Sequence, residues 1–422
     1  MIALVDCNSF FCSVEKVFYP GLNGKPVCVL SSNDSCIVAL TPEAKALGLR
    51  RGDPLFKKRE IVEQNHVKLF SANMMLYAAM SKRVNNILRS AVPHSEVYSI
   101  DESFLYLDGL EKFYDLEDYM RGVAERVKLY TDIPVSVGIA PTKTLAKIGS
   151  KFAKKYKGYR SVCLIDNEGK RRKALELSSL ADVWGIGRQM QVRLNSLGIC
   201  TPLEFADKKE SWVRSNFTKP GLQTWKELNG IPCINTSEVV QRQTICTSRS
   251  FGNEVIDFDN LQASVASFAA SCANKLRGQH SVASAVTVFV SSNRFRDDLA
   301  QYTDGRTRIL SIPTSDTIEI TQVALAILKE IYREGISYKK AGVILGNLSD
   351  ASCIQQHLFD EVKNRPGRMQ LMQRMDELNC RFGLRKIHLA VEGEEKQAWH
   401  SKSEFRSGNY LSDLREILTI RI

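Results

Sequence analysis

The chain has 422 residues, too many for one ordinary core, and its 44% hydrophobic and 25% charged content fits a soluble globular protein of several domains. A net charge of +11 favours a polyanionic partner, although lysines kept only for solubility would give the same balance. Six histidines without a His-x-x-x-His pattern and eleven cysteines without a Cys-x-x-Cys pair argue against a zinc hydrolase and against a zinc or disulfide scaffold.

The first element is the apolar run 2–5, which ends abruptly at Asp6. That pattern predicts a strand buried on both faces that delivers a carboxylate at its end. Asp6 inside the run and the lack of a basic segment before it argue against a signal peptide. No apolar stretch approaches the ~20 residues that span a bilayer, so a cytoplasmic protein without membrane contact is expected. Residues 13–73 read as an insertion, with strands at 26–32 and 36–41 around the turn Asn33-Asp34-Ser35. A helix starting near Pro42, a short helix at 58–64 and a strand at 67–72 follow. A helix at 74–91 carries Leu76, Met80, Val84, Ile87 and Leu88 on one stripe. Residues 96–110 read as strand, tight turn and strand, followed by a helix at 112–130, a strand at 134–140 and a lysine-rich helix at 142–156.

Without the insertion the order is strand, helix, strand, strand, helix, strand, the ferredoxin-like split pattern. It brings Asp6 and the Asp101-Glu102 pair to one sheet edge. Residues 170–230 read as mostly helical, and 243–348 as a second two-layer module of four strands and two helices. Cys7, Cys28, Cys36, Cys163, Cys246 and Cys272 lie in apolar or strand-like contexts and are expected as buried thiols. The fold class expected is therefore α+β and multidomain.

Most acidic residues are solvated or cap helices. Asp6, Asp101 and Glu102 differ because they follow apolar residues and converge in the expected sheet. Clustered carboxylates repel unless cations neutralise them, and oxygen ligands suit Mg²⁺. Two such ions support an in-line displacement at phosphorus. The strings D-C-N-S-F-F (6–11) and Y-S-I-D-E-S (98–103) resemble the metal-binding motifs of Y-family DNA polymerases. S-S-N-D, E-A-K-A-L-G with R-G-D-P, and G-I-A-P-T-K-T-L-A-K resemble the UmuC branch of that family.

The resemblance implies a ferredoxin-like palm (1–12 and 74–166), small fingers (13–73), a helical thumb (167–235), a little finger (243–350) and a C-terminal extension (351–422). It implies an error-prone, template-directed DNA polymerase of SOS-type repair, without proofreading, that extends primers past damaged bases. Asp6, Asp101 and Glu102 would be catalytic and, with the Cys7 carbonyl, would hold two Mg²⁺ ions. Phe10, Phe11, Thr41, Lys45 and Lys154 would bind the deoxynucleoside triphosphate, Phe11 as the aromatic wall that excludes a 2′-hydroxyl. Pro42 departs from the family, where a Tyr often reaches the phosphates, and Thr41 is the nearest substitute. Lys45 stands where many relatives have Arg.

Residues 182–199 resemble a helix-hairpin-helix in which Gly185 and Gly187 let backbone N–H groups approach a DNA phosphate; a plain helical hairpin fits the pattern equally well. Arg249, Lys275, Arg277, Arg294 and Arg296 are candidates for the backbone of primer-template DNA. Gln355, Leu358 and Phe359 resemble the peptide by which bacterial polymerases hold the sliding clamp. The tail resembles the UmuC extension, which implies a UmuD-type accessory subunit and a RecA filament as partners. A nucleotidyl cyclase with a shared palm, or a non-catalytic DNA-binding adaptor, are the competing readings.

Overall fold

The computed structural model describes residues 1–236, 241–354, 362, 364–383, 385–393, 399, 401–411 and 413–417. The chain forms two compact units, Met1–Val239 with Ser403–Ile422, and Val240–Lys402.

In the first unit, β1 (Ile2–Cys7) runs on two residues past the apolar run and carries Asp6 within it. The helix Phe10–Phe18 starts at once from Ser9, whose φ of 46° makes a left-handed corner. β2 (Val27–Leu30), β3 (Ile37–Leu40) and β4 (Lys68–Ser71) form a small sheet in the order β3-β2-β4. The helix expected at 58–64 begins earlier, as Leu55–Gln64, because Pro54 supplies its start.

The helix Met74–Ala91 falls where its apolar stripe places it, with the Asn73 side chain accepting the Leu76 N–H as cap. β5 (His94–Val97), β6 (Glu102–Tyr106), the helix Leu116–Thr131, β7 (Val135–Ala140) and the helix Lys143–Lys155 follow. With the short strand β8 (Val162–Leu164), the sheet order is β5-β6-β1-β7-β8, so the first four strands have the split arrangement read from the sequence. The parallel edge strand β8 is new; three residues are too few to show a period.

Burial explains the sheet's sequence. Ala3, Val5 and Cys7 pack with the helices Met74–Ala91 and Leu116–Thr131 on one face. Leu4 and Phe104 pack with the helix Lys143–Lys155 on the other. Asp6 has the parity of Leu4, and its cross-strand partner Glu102 has that of Phe104, so both belong to the second face. The helix can lie there because Gly138 and Gly149 meet: a Cβ on Gly138 would stand 2.0 Å from the Ala146 carbonyl oxygen.

Residues 170–230 are mostly helical, as expected. The hairpin expected at 182–199 is different in detail. A single 3-10 turn, Leu180–Asp182, stands where the first helix was expected, and Arg188–Ser196 is the second. Glu227, almost fully buried, ties this region to the helix Lys143–Lys155 by accepting the Thr144 N–H, and it also accepts the N–H groups of Cys233 and Ile234.

The second unit contains β9 (Ile245–Val255), β10 (Ser281–Ser292), β11 (Thr303–Thr314) and β12 (Tyr338–Asp350) in the order β11-β10-β12-β9. The helices Phe258–Gly278 and Thr317–Ile331 cover one face around a core that includes Phe268, Val288, Ala341 and Val343. The tail contributes the helix Arg365–Phe382. Arg277 binds Asp376 on it at 2.6 Å, and Arg368 and Arg365 bind Asp316 and Glu319. The chain then rejoins the first unit, where Ser71 N–H donates to the Phe405 carbonyl at 3.0 Å.

All eleven cysteines are free. Cys7, Cys28, Cys163 and Cys272 are buried as expected; Cys36 is half-buried, and Cys246 is exposed because it alternates with the buried Ile245 onto the other face of β9. Among the described residues no helix is long and apolar enough to cross a membrane.

Candidate active site

The register places Asp6 opposite Glu102 on one side and Ser136 on the other. Asp101 lies in the turn before β6, and its carbonyl accepts the Cys7 N–H at 2.9 Å. Ser99 shapes this turn: its hydroxyl donates to Asp101 Oδ1 at 2.7 Å and accepts the Glu102 N–H at 3.0 Å. Two residues a hundred positions apart are thus held together by backbone bonds rather than by their side chains.

Burial raises the proton affinity of Asp6, Lys154 opposes this, and the nearby Glu102 and Asp101 charges add to it. Lys154 Nζ stands 3.3 Å from both Asp6 carboxylate oxygens, and Lys147 Nζ stands 3.0 Å from Glu102 Oε2. Lys147 also sits over the rings of Tyr98 and Trp184, at 4.5 and 5.2 Å. The site is therefore an acidic cluster neutralised by lysines from one helix.

Three carboxylates and a backbone carbonyl are hard oxygen donors, which suit a divalent cation of the Mg²⁺ type. The burial-driven rise at Asp6 marks the charge that such a cation would relieve. Among the described residues no group of three or more His, Cys, Asp or Glu stands ready to hold a metal; lysines hold Asp6 and Glu102 instead. The Cys7 thiol is buried and burial pushes its pKa up, which leaves the backbone as that residue's donor.

The other expected site residues divide. Phe11 is half-buried and stacks on Tyr77, with ring centroids 4.5 Å apart and planes at 15°. Phe10 turns into the core, so only its backbone is left to face a ligand. Thr41 is 2% exposed, and its hydroxyl accepts the Val27 and Ala44 N–H groups and so caps the helix Pro42–Ala46. Lys45 is exposed on the short helix Pro42–Ala46. Gly185 has a φ of 96°, and a Cβ there would meet the Thr224 hydroxyl at 2.3 Å. Gly187 stands in open space at the start of the helix Arg188–Ser196.

Arg249 pairs with Ala341, which places it on the helix-covered face of the second sheet, at its edge. Arg277 and Arg296 are committed to Asp376 and Asp298, whereas Arg294 is exposed. Gln355, Leu358 and Phe359 lie outside the described residues. Lys147, Ser99 and Tyr77 are new to the site. The first had a signal, since it shares a helix face with Lys154 at seven residues' spacing; Ser99 and Tyr77 had none.

The arrangement matches a known architecture. A Y-family polymerase chimera, Dbh-Dpo4(243-245)-Dbh, superposes with a TM-score of 0.63 at 23% identity, covering 83% of this chain and 100% of that one. The insertion ternary complex of Dbh DNA polymerase gives 0.51 at 22% identity, covering 83% of this chain and 100% of that one. The fold is thus that of the Y-family DNA polymerases. The impB/mucB/samB family matches residues 5–151, its C-terminal domain residues 242–358, and a domain of unknown function (DUF4113) residues 369–420. Protein UmuC of Salmonella typhimurium is 39% identical over the whole of both chains. Protein ImpB of the same organism is 38% identical, also over the whole of both chains, and DNA polymerase IV of Moorella thermoacetica 26% identical over 92% of this chain and 95% of its own. The chain belongs to the impB/mucB/samB family, the UmuC-like branch of the Y family.

Proposed function

We propose that the chain is a template-directed, error-prone DNA polymerase that extends primers past damaged bases by two-metal nucleotidyl transfer. The observation that carries this is the backbone-fixed meeting of Asp6 and Glu102 on one sheet face, with Asp101 in the adjoining turn. By this reading residues 1–12 and 74–166 are the palm, 13–73 the fingers, 167–235 the thumb, 243–350 the little finger and 351–422 an extension.

Asp6, Asp101, Glu102 and the Cys7 carbonyl would hold two Mg²⁺ ions. When bound, such ions favour the ionised primer hydroxyl and neutralise the leaving pyrophosphate. The protein's own part is placement. The helix Phe10–Phe18 begins beside Asp6 with no side-chain cap, so its first N–H groups are free to meet phosphate oxygens. Lys154, relieved of Asp6, turns its point charge to the triphosphate. Phe11, backed by Tyr77, presents a flat wall to the sugar. The small β3-β2-β4 sheet encloses the nascent pair loosely, which weakens shape selection and admits damaged bases.

Primer-template DNA and deoxynucleoside triphosphates are the substrates. A UmuD-type subunit, a RecA filament and a sliding clamp are the partners that membership of this family suggests. The first experiment is primer extension on a gapped template with Mg²⁺, comparing wild type with Asp101→Ala plus Glu102→Ala. Extension by wild type alone is expected. Equal extension by both would remove these carboxylates from the chemistry.

A further inference from the structure

The tail returns to the first unit as a strap, residues 403–411, that touches three separate segments. Ser403 Oγ donates to the Ser32 carbonyl at 3.1 Å and Glu404 N–H to Asp34 Oδ2 at 2.7 Å. Phe405 N–H donates to Ser71 Oγ at 2.9 Å, and Arg406 bridges Ser71 in parallel, so the strap covers the open edge of β4. Asn73, which caps the helix Met74–Ala91, gives its amide hydrogens to the carbonyls of Ser407 and Gly408 at 3.0 and 3.2 Å. Beyond these, Tyr410 shares a 2.6 Å hydroxyl bond with Tyr19.

The centre of the strap ends on a buried charge. Glu15 is fully buried, and one oxygen carries both of its bonds: Tyr77 OH donates to Oε1 at 2.7 Å and Ser407 Oγ at 3.0 Å. Its Oε2 has no hydrogen-bond partner among the described residues. Glu15 stands one turn after Phe11 on the same helix, and the Tyr77 ring it holds is the one on which Phe11 stacks. A buried carboxylate with so few donors is sensitive to losing one, because burial withholds it from bulk solvent.

We propose that the strap, through the chain Ser407–Glu15–Tyr77, positions the Phe11 ring and so sets how strictly the incoming sugar is discriminated. Ser407 is a positioning residue, since it acts through Phe11 rather than on the nucleotide. The proposal rests on the reading of Phe11 as the sugar wall. It gives the C-terminal segment a part in substrate choice, although that segment lies nearly four hundred residues from Phe11 in sequence.

The test is single-nucleotide insertion by the full chain, measuring kcat/KM for deoxyribonucleotide and ribonucleotide. Ser407→Ala is expected to relax the deoxy-to-ribo ratio roughly fivefold, Ser407→Thr to restore it, and Ser407→Ala to add nothing in a Phe11→Ala background. If Phe11→Ala relaxes the ratio and Ser407→Ala leaves it at the wild-type value, the strap has no such part. The same holds if Ser407→Ala lowers activity toward both sugars equally. An unchanged ratio in Phe11→Ala would instead overturn the sugar wall itself. If Ser407→Ala does not fold, Tyr410→Phe loosens the same strap from its far end, with a relaxation of about twofold expected; no change there would also count against the proposal.

Discussion

Four lysines of the helix Lys143–Lys155 are spaced four, four and three residues apart and so form one stripe. Each meets a carboxylate: Lys143 binds Glu96, Lys147 Glu102, Lys151 Asp182 and Lys154 Asp6. Only Lys147 and Lys154 stand at the active site, and they differ in surroundings. Lys147 is enclosed by Tyr98 and Trp184, whereas Lys154 is more open and free to exchange its partner. Lys154→Ala is therefore expected to raise KM for the nucleotide about tenfold with a smaller change in kcat; steady-state insertion kinetics check it, and a pure kcat loss would place Lys154 elsewhere. Glu15 gives a second expectation. Burial raises its proton affinity above that of a free carboxyl, against the hydrogen bonds from Tyr77 and Ser407 that lower it. A raised folded-state value means that its contribution is fully present below the unfolded value and is lost as pH rises through the folded one. Glu15→Gln, which stays neutral, should thus gain stability over wild type near pH 8, and the gain should vanish toward about pH 4. Urea unfolding at both pH values decides it. At this scale the sequence shows its carboxylates clearly, because Asp6 interrupts an apolar strand and Asp101-Glu102 follows the apolar residues Val97, Tyr98 and Ile100, although β5 itself is polar and ends at Val97. Ser99, Tyr77 and Glu15 are not visible there, since their roles exist only through contacts across the fold; nor is the helix cap that occupies the Thr41 hydroxyl.

The long elements were legible because their periods are strong. The helix Met74–Ala91 and the strands around Asp6 needed only apolar spacing. β8 and the 3-10 turn Leu180–Asp182 were not, being three residues each. Nor was the strap, which carries no period and draws its order from Ser71, Asn73 and Glu15. The element that matters most to the site is the lysine-bearing helix, and its place depends on a glycine crossing. Gly138 lies under Gly149, with the Ala146 carbonyl, the Ser150 N–H and the Gly149 carbonyl carbon all within 2.6 Å of where a Cβ would stand. Backbone cannot yield as a flexible side chain does. Gly138→Ala is expected to cost about 3 kcal/mol or more in urea unfolding, and to lower insertion activity in the fraction that folds, because Lys147 and Lys154 move with the helix. A loss within ~0.5 kcal/mol would show that helix and sheet are not held at this contact.

At the scale of the molecule, the charge of +11 is the feature that composition announced, but composition does not say which cations are free to meet DNA. Register and pairing decide. Arg277 gives its guanidinium to Asp376 Oδ1 and Oδ2 and to the Ser315 carbonyl, so it ties the helix Arg365–Phe382 to the second unit. Arg296 is paired with Asp298, whereas Arg249, at the edge of its sheet, is exposed. Arg294, exposed and stacked on Phe295, remains free for a phosphate. Phosphate contacts release counterions, so each one adds about one unit to the salt dependence of binding. Binding of primer-template DNA to the full chain is thus expected to weaken steeply between about 50 and about 200 mM salt. Arg294→Ala should reduce the slope of log K against log salt by about one. Arg277→Ala should leave the slope unchanged and lower stability by ~3 kcal/mol, because it strips a partly buried carboxylate of its partner. Fluorescence anisotropy across a salt series, with urea unfolding of the same variants, separates the two. A slope reduced equally by both substitutions would mean that Arg277 leaves Asp376 for DNA, and that the tail helix is released when the polymerase binds its template.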